Sequence, residues 1–277
     1  MTSLLNLCIL GCGSSGGVPL IYNHWGDCDP KNPKNRRTRS SLLLHYENSH
    51  ILLDASPDLR QQLLRENIHH IDAVLMTHAH ADHCLGLDEL RQIFFHQQRK
   101  IPLFADPSTM ETLCHRFSYM FHKTDAAYPS FLESHALEDN PFALNGLRIT
   151  SFDQEHGHQK SIGYRIDGLN WSMVYSTDVL SFPEKSQEHL YHLDLWIVDC
   201  LRYHPHPTHA HFDQTMDWIQ TFKPKHVVLT HMSEYLDFND LVGRCQETLM
   251  HMPDTQTITP AWDGMKIQVS KDRVKIL

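Results

Sequence analysis

Short runs of hydrophobic residues alternate along this chain with longer segments that repeat hydrophobic and polar residues at helical spacing. The short runs predict strands, because about four to eight apolar or alternating residues bounded by turn residues are typical of strands. The predicted strands are residues 4–10, 40–46, 50–54, 72–76, 102–105, 147–152, 161–166, 170–175, 193–199 and 225–230. Further strand pieces over 258–277, including 265–269 and 274–277, are expected to close one sheet.

The longer amphipathic segments predict helices over residues 57–67, 87–98, 107–121, 210–222 and 240–250. At the start of the first helix, Ser56 has the hydroxyl typical of an N-cap and Pro57 fits the first helical position. Between residues 123 and 145 the pattern is weak. The aromatic residues of that segment are expected to cover the core: Tyr128, Phe131 and Phe142.

The composition indicates a globular protein and argues against a membrane or a nucleic-acid partner. A chain of 277 residues with 41% hydrophobic residues can bury a sizeable core, and we expect a single domain over 1–277. Seven scattered cysteines predict no disulfide framework and favour the cytoplasm. No apolar run approaches the ~20 residues that span a bilayer, and residues 4–10 lack a basic leader. The net charge of -9 opposes nucleic-acid binding.

The stretch from Thr77 to Gly86 carries three histidines and an aspartate directly after the predicted strand 72–76. Its metal-binding side chains are His78, His80, Asp82 and His83. His78 and His80 share a face because alternate residues of an extended segment point the same way, while Asp82 and His83 open the next turn and can face a second ion. With 23 histidines in the chain, a polar loop with histidines by chance is the competing interpretation. The order His-x-His-x-Asp-His after a strand favours a site for two metals.

A glycine-rich segment, Gly11-Cys12-Gly13-Ser14-Ser15-Gly16, follows the first predicted strand. Its spacing is that of a dinucleotide-binding fingerprint, but the irregular chain that continues at Val18-Pro19 excludes the helix that such a motif must open. Two interpretations remain. The segment is either a plain tight turn or a flexible backbone that holds a substrate phosphate at Ser14 and Ser15.

Five cations fall within nine residues of a long irregular loop: Lys31, Lys34, Arg36, Arg37 and Arg39. One interpretation is a solvated loop. The other is that Arg36 and Arg37 contact a substrate phosphate, because guanidinium groups bind phosphate oxygens strongly.

The histidine motif and the segment from Gly11 to Pro19 together resemble the metallo-β-lactamase superfamily. More narrowly, they resemble its phosphodiesterase branch, which includes the carbon-phosphorus lyase accessory protein that hydrolyses cyclic ribose phosphates. The resemblance runs from Leu7 to about Asp237. It implies an α/β (α+β) fold, a four-layer αβ/βα sandwich with two mixed sheets flanked by helices, and it alone suggests a homodimer. That branch often binds a structural zinc, but this chain keeps only Cys28 and has Glu234 in place of a histidine, so we expect none.

The resemblance also implies a set of metal ligands. One metal would take His78, His80 and His156, the second would take Asp82, His83 and His231, and Asp178 would bridge them. His158 is the alternative to His156. All of these ligands offer nitrogen or oxygen, which suits zinc or manganese, and also iron.

Residues beyond the ligands are expected to support them or to contact the substrate. The resemblance implies that Asp54 orients a metal-binding histidine, and Ser56 already provides the helix cap that would be the competing role of Asp54. Asp199 has either an orienting or a structural role. In the related phosphodiesterases a histidine before a helix reaches the substrate phosphate. In this chain His209 fits that pattern, with His211 as the alternative.

These features predict a binuclear metal-dependent hydrolase. Two divalent ions can share a water and lower its pKa, so that a metal-bridging hydroxide attacks a small or cyclic phosphate ester. Asp82 belongs to the predicted catalytic set, and His209 or His211 would neutralise charge or protonate the leaving oxygen. The alternatives are a thioester or other acyl hydrolase, a tRNA 3′-processing nuclease, and a non-catalytic binding protein of the related coenzyme-biosynthesis branch.

Overall fold

The computed structural model describes residues 4–123, 129–137, 141–271 and 273–277. The strands within these residues are β1 (Leu5–Gly11), β2 (Ser41–Tyr46), β3 (Ser49–Leu53), β4 (Ala73–Leu75), β5 (Ile101–Ala105), β6 (Leu132–Ala136), β7 (Phe142–Leu144), β8 (Leu147–His156), β9 (Gln159–Asp167), β10 (Ser172–Ser176), β11 (Leu195–Asp199), β12 (His226–Thr230), β13 (Thr257–Pro260), β14 (Lys266–Ser270) and β15 (Arg273–Ile276). The α-helices are α1 (Leu59–Glu66), α2 (Ala81–Cys84), α3 (Leu90–Gln97), α4 (Pro107–Arg116), α5 (Ser118–Phe121), α6 (Glu184–Gln187), α7 (Phe212–Phe222) and α8 (Phe238–Leu249).

The strands form two mixed sheets. The first has the order β15-β14-β1-β2-β3-β4-β5-β6 and the second has the order β13-β12-β11-β10-β9-β8-β7. Strands β3 to β6 run parallel to one another, and so do β10 to β13. Because the carboxyl ends of parallel strands meet at one edge of a sheet, the loops after β4, β10, β11 and β12 can assemble a shared site.

Alternating side chains of the first sheet enter two separate hydrophobic cores. On β2, Leu42 and Leu44 join the core that also contains Ile149 and Met173 of the second sheet. Leu43 points the other way, into a core shared with Leu59 of α1 and with residues of α3 and α4. This alternation is the period of two that a strand imposes on its side chains. Helices α7 and α8 pack against the second sheet, so the prediction of two mixed sheets flanked by helices is confirmed.

The start of the first helix differs from the prediction. Helix α1 begins at Leu59, with Asp58 in the N-cap position, so Ser56 is not its N-cap. The Ser56 hydroxyl instead donates to Gln62 Oε1 at 3.0 Å and accepts from the Asp58 amide at 3.2 Å. These two hydrogen bonds hold residues 56–58 in a turn outside the helix.

Other segments differ from the prediction in extent. The predicted helix 87–98 is a 3-10 turn followed by α3, and the predicted helix 107–121 breaks at Phe117 between α4 and α5. The C-terminal strands do not close one sheet, because β13 joins the second sheet while β14 and β15 join the first.

The weakly patterned segment 123–145 contains two strands, β6 and β7, that the sequence pattern did not predict. Phe131 is buried and Phe142 packs against the core, as expected. Tyr128 lies outside the described residues. The assignment of 1–277 to one domain stays a prediction. Within the described part of the chain, none of the helices has the length and hydropathy needed to cross a membrane.

Candidate metal centre

Two groups of side chains that could hold a metal ion meet at the ends of strands and share one aspartate. The first group is His78, His80, His156 and Asp178, and the second is Asp82, His83, Asp178 and His231. Within each group the ligand atoms lie within 4.8 Å of one another. The structure therefore brings together all seven residues that the sequence predicts as metal ligands, from loops after β4, β10 and β12, from α2 and from the last residue of β8.

The two carboxylate oxygens of Asp178 face different histidines. Oδ2 lies 3.7 Å from Nε2 of both His78 and His156, whereas Oδ1 lies 3.1 Å from His83 Nε2 and 3.3 Å from His231 Nε2. A carboxylate placed in this way can bind one cation through each oxygen. Asp178 is therefore positioned as a bridge between the two groups.

The remaining members of each group lie beside these histidines. Nδ1 of His80 is 3.3 Å from Nε2 of His156. Asp82 Oδ2 is 3.2 Å from His83 Nε2 and 3.6 Å from His231 Nε2. Each group thus offers four side chains around a small space, a number typical of a zinc site.

Three aspartate and histidine residues of the centre have a left-handed backbone. The φ angles are 59° at Asp54, 53° at Asp178 and 57° at His231, each just after a strand. Residues other than glycine adopt this conformation uncommonly and at a cost in free energy, and such residues cluster at functional sites. The surrounding fold therefore holds these side chains in place against local backbone preference.

Asp54 orients two of the histidines from behind. Its Oδ2 accepts a hydrogen bond from His83 Nδ1 at 2.7 Å and another from the Thr77 hydroxyl at 2.8 Å. The Thr77 hydroxyl lies 2.9 Å from His78 Nδ1, so it accepts the proton of that ring nitrogen. Both rings therefore direct Nε2 into the centre, the nitrogen through which a ring held in this way binds a metal once that nitrogen is unprotonated.

A backbone carbonyl orients a third histidine. Nδ1 of His156 lies 2.8 Å from the carbonyl oxygen of Thr208 and donates to it. Its Nε2 is thereby left unprotonated toward Asp178. Thr77 and Thr208 are supporting residues that the sequence reasoning missed. For Thr77 the signal was present, because its hydroxyl directly precedes the histidine motif.

Buried nitrogen atoms without hydrogen bonds indicate that the centre fits cations. Among the described residues, Nε2 of His78, His83 and His231 has no hydrogen-bond partner. Such atoms are rare in proteins unless an ion or water satisfies them. Imidazole nitrogens with carboxylate oxygens are donors that zinc, manganese and iron accept. The residues therefore fit divalent metal ions.

The charges around the centre favour the metal-binding forms of His78 and Asp178. Burial, reinforced by the neighbouring His83, holds the pKa of His78 well below its usual value, so this ring is neutral. Burial alone would raise the pKa of Asp178, but His231 and His83 hold it well below its usual range. A neutral imidazole and an ionised carboxylate are the forms that bind metals. Burial alone would lower the pKa of His83, but Asp178, Asp54 and Asp82 raise it well above its usual value, so this ring releases a proton when a metal binds.

His209 adjoins the centre and is held by Asp199. Nδ1 of His209 is 2.9 Å from Asp199 Oδ2, and its Nε2 is 3.9 Å from Asp178 Oδ2. Burial by itself would lower the pKa of His209, but the Asp199 carboxylate raises it to about 9. Asp199 is fully buried and also accepts from the Val179 amide at 3.1 Å. Its role is therefore both to orient His209 and to hold the turn after β10.

Comparison with known proteins agrees with this geometry. Residues 49–232 match the sequence profile described as "Beta-lactamase superfamily domain". A crystal structure described as a new diphosphatase from the PhnP family is 34% identical, with a TM-score of 0.83, and the match covers 98% of this chain and 99% of that chain. The chain belongs to the metallo-β-lactamase superfamily. Within it, the chain is similar to the PhnP family, and the predicted sandwich fold is that of the superfamily.

Two other proteins that are similar to this chain have different names. An octanoyltransferase of Porphyromonas gingivalis is 31% identical over 271 residues, covering 97% of this chain and 52% of that protein. The chain thus spans about half the length of the curated relatives it matches. The Zn²⁺-bound PqqB from Methylobacterium extorquens has the same fold, with 19% identity, a TM-score of 0.73 and coverage of 94% of this chain and 99% of that chain.

One predicted substrate contact of this superfamily member is wrong. Arg37 is 1% exposed, and its guanidinium donates to the carbonyl oxygens of Ser233 and Leu236 at 2.9 and 2.6 Å. These carbonyl oxygens belong to the turn after His231, and the guanidinium provides the hydrogen bonds that buried carbonyl oxygens require. Arg37 therefore fastens the basic loop to the segment that carries His231, and its guanidinium is not free to contact a substrate.

Most other cations of the basic loop also have partners in the protein. Lys34 lies over the ring of Trp262 at 3.8 Å, and Arg39 pairs with Asp58 at 2.9 Å. Arg36 is exposed and lies 5.0 Å from the ring of Trp25. A contact of Arg36 with a substrate phosphate stays a prediction, as does the expectation that no structural zinc binds near Cys28.

The glycine-rich segment borders the metal centre without opening a helix. Gly13 pairs with Met232, the residue after His231, and the Ser14 amide donates to the Met232 carbonyl at 3.2 Å. That amide is therefore not free to bind phosphate. The Ser14 side chain is buried and Ser15 is exposed, so a substrate contact by Ser15 or by the Ser14 hydroxyl stays a prediction.

The structure distinguishes the alternatives within each histidine pair. His156 is 4% exposed inside the first group, whereas His158 is exposed and outside it. His209 forms a third group of possible metal ligands with Asp199 and His231, whereas His211 occupies the N-cap position of α7 and belongs to none of the three groups found among the described residues. The geometry favours His156 and His209.

Proposed function

We propose that this protein is a binuclear metal-dependent phosphodiesterase that cleaves a small or cyclic phosphate ester. The observation that carries the proposal is the division of the Asp178 carboxylate, whose two oxygens face separate sets of histidines. His78, His80 and His156 would hold one zinc or manganese ion, or iron, and Asp82, His83 and His231 the other. Such a pair supplies an activated water at neutral pH and Lewis acidity toward phosphoryl oxygens.

His209 is the residue that we propose contacts the substrate. Asp199 accepts from Nδ1 at 2.9 Å and thereby fixes the ring plane, with Nε2 turned toward the shared Asp178. From this position Nε2–H can donate a hydrogen bond to a phosphoryl oxygen as negative charge develops there. The same proton can pass to the departing alkoxide oxygen.

Hydrogen bonds from neighbouring residues hold the side chains of the centre in fixed positions. Asp178 is fixed by the Thr177 hydroxyl, which donates to Oδ1 at 2.8 Å, and by the Ser161 hydroxyl, which donates to the Asp178 carbonyl at 2.7 Å. Asp54 fixes His83 as described above. Rigid positioning of this kind contributes to catalysis because the reacting atoms start near their productive geometry.

The names of the relatives support two kinds of substrate, a phosphate ester and an acyl ester. The PhnP-family diphosphatase, 34% identical over nearly all of this chain, supports a phosphate substrate. The octanoyltransferase name supports an acyl hydrolase as the second candidate, but that protein is about twice as long as the matched part. The same metal centre serves both chemistries, so the ligands do not choose between them. We favour a phosphate substrate because the match to the diphosphatase covers nearly all of both chains, whereas the match to the octanoyltransferase covers about half of that protein.

We also propose a cytoplasmic location, because all seven cysteines are unpaired. A homodimer is proposed from the family resemblance alone. A small phosphate ester is the proposed partner, and the net charge of -9 argues against a nucleic acid.

Hydrolysis of bis(p-nitrophenyl) phosphate and of an octanoyl thioester would test the proposal. The protein would be reloaded with Mn²⁺ or Zn²⁺ and compared with Asp178→Asn and with Asp88→Asn, an aspartate outside both groups. We expect phosphodiester turnover that Asp178→Asn abolishes and Asp88→Asn retains. Turnover of the thioester alone would overturn the phosphate assignment and favour the acyl hydrolase.

A further inference from the structure

A segment rich in histidine, residues 204–211, lies between β11 and α7, and the proposed reaction uses only His209 from it. A second histidine of this segment, His206, is half-buried beside His209. The centroids of their rings are 5.2 Å apart, and the centroid of the His209 ring is 4.7 Å from that of His156. The His209 ring thus contacts both His206 and a proposed metal ligand.

A hydrogen bond from Thr208 fixes which nitrogen of His206 carries a proton. The Thr208 amide donates to His206 Nδ1 at 3.3 Å, and the Thr208 hydroxyl lies 3.2 Å from the same nitrogen. An amide can only donate, so Nδ1 is the unprotonated nitrogen of a neutral ring. Burial, reinforced by the neighbouring His209, lowers the pKa of His206 and favours this neutral form.

Thr208 in turn holds the orientation of His156. The Thr208 carbonyl oxygen accepts from His156 Nδ1 at 2.8 Å. Gly157 lies so close that a Cβ added there would overlap the Thr208 side chain. The carbonyl oxygen can therefore orient His156 only while Thr208 keeps this position.

Other contacts fix the two ends of the segment. The Arg202 guanidinium donates to the carbonyl oxygens of residues 204 and 205 at 3.0 and 2.6 Å. The Ala210 amide donates to the Val179 carbonyl at 2.7 Å. Among the described residues, the amide and the hydroxyl of Thr208 make no hydrogen bond other than the one to His206. The position of Thr208 therefore depends on His206.

The chain around His206 is stiff, because Pro205 and Pro207 flank it. A proline fixes its own φ and restricts the residue before it to extended conformations. Little conformational freedom is then lost when the hydrogen bond between His206 and Thr208 forms.

We propose that His206 is a positioning residue of the metal centre and that it sets the orientation of His156 through Thr208. This inference rests on the proposed function, because it takes His156 as a ligand of one of the two metal ions. His204 provides the contrast within the same segment. It is exposed, and its ring has no hydrogen bond or ring contact within the part of the chain that the structure describes.

The zinc affinities of three variants test this inference. His206→Leu removes the acceptor at similar side-chain size, whereas His206→Asn keeps one, since Oδ1 of asparagine and Nδ1 of histidine are both bonded to Cγ. His204→Leu is the matched control. Stepwise competition with a chromophoric chelator measures the affinity for each of the two zinc ions.

We expect His206→Leu to bind one zinc ion about 3- to 10-fold more weakly, the change that one lost hydrogen bond supports, and to bind the other with wild-type affinity. The effect is confined to one ion because His156 belongs to only one of the two groups. His206→Asn should restore the wild-type affinity, and His204→Leu should retain it. His206→Ala, which removes the same acceptor with less bulk, should behave as His206→Leu does.

Nuclear magnetic resonance of the protein labelled with ¹⁵N-histidine follows the orientation of His156 directly. The proton on His156 Nδ1 should exchange with solvent faster in His206→Leu and at the wild-type rate in His206→Asn and His204→Leu. Loss of the signal in His156→Gln assigns it. A purely structural role of His206 would speed the exchange of backbone amides throughout the protein as well.

The outcomes separate this inference from the proposed function. Wild-type zinc affinity in folded His206→Leu and His206→Ala, or a loss that His206→Asn does not restore, would overturn the inference, as would an equal loss in His204→Leu. Neither measurement requires turnover. Absence of bis(p-nitrophenyl) phosphate hydrolysis, with the expected zinc affinities, would overturn the proposed function and support the positioning role. Far-ultraviolet circular dichroism of each variant establishes that it is folded.

Discussion

Replacing Asp54 with asparagine is expected to weaken metal binding without unfolding the protein. The buried Asp54 carboxylate accepts three hydrogen bonds, from the Thr77 amide, the Thr77 hydroxyl and His83 Nδ1, at 2.8, 2.8 and 2.7 Å. Asparagine has nearly the same shape and tolerates the left-handed backbone found here, with φ of 59°. The substitution therefore changes the hydrogen bonding and little else.

An amide has a single acceptor oxygen, so one contact must fail in either orientation. If the oxygen faces His83, the NH₂ group confronts the Thr77 amide, and a buried donor is left unsatisfied at about 1–3 kcal/mol. If the amide is reversed, the NH₂ group confronts His83 Nδ1, which must then accept. The ring proton moves to Nε2, the nitrogen that faces Asp178. A protonated Nε2 cannot bind a metal.

We expect Asp54→Asn to lower metal affinity about 10- to 100-fold, the range for loss of a group that orients a metal ligand. That loss corresponds to about 1.4–2.7 kcal/mol. Competition with a chromophoric zinc chelator measures it, with Asp88→Asn as the matched control. An Asp54→Asn protein that is folded and binds zinc with wild-type affinity would refute the reasoning that Asp54 sets the protonation of His83.

Three further outcomes are expected. Arg37→Ala should lower the free energy of unfolding in guanidinium chloride by about 3 kcal/mol, because two hydrogen bonds from a charged group contribute ~1.5–3 kcal/mol each and removal of the buried charge offsets part of the loss. The control Arg36→Ala should change the free energy of unfolding by less than about 0.5 kcal/mol. Equal changes in the two variants would contradict the roles assigned to these arginines. His209→Asn should lower kcat for a phosphodiester about 10²- to 10⁴-fold and His211→Asn should leave it nearly unchanged, with the reverse order pointing to His211. Burial and the adjacent histidine rings lower the pKa of His50 to about 4, so between its usual pKa and that value the unfolded chain binds more protons than the folded chain. The free energy of unfolding should therefore fall as the pH drops through this window, and it should fall less steeply in His50→Gln. The same dependence of this free energy on pH in the wild type and in His50→Gln would contradict this.

The local chemistry of the centre follows from short stretches of the sequence. His78, His80, Asp82 and His83 lie within six residues, and the alternation of an extended segment followed by a turn is enough to aim them at two neighbouring positions. Most strands and most helices likewise follow from patterns only a few residues long. These features are predictable because each depends on interactions between near neighbours in the chain.

Contacts between distant parts of the chain determine which residues complete the centre and which residues lie outside it. Whether His209 or His211 faces the centre depends on Asp199, ten residues before His209, whose carboxylate holds one ring and not the other. The basic loop suggested that Arg37 contacts a substrate phosphate. In the structure its buried guanidinium donates to the carbonyl oxygens of Ser233 and Leu236, some two hundred residues later in the chain. No local pattern encodes such contacts, because they arise only when separate strands end at the same edge and their loops must satisfy each other's polar groups.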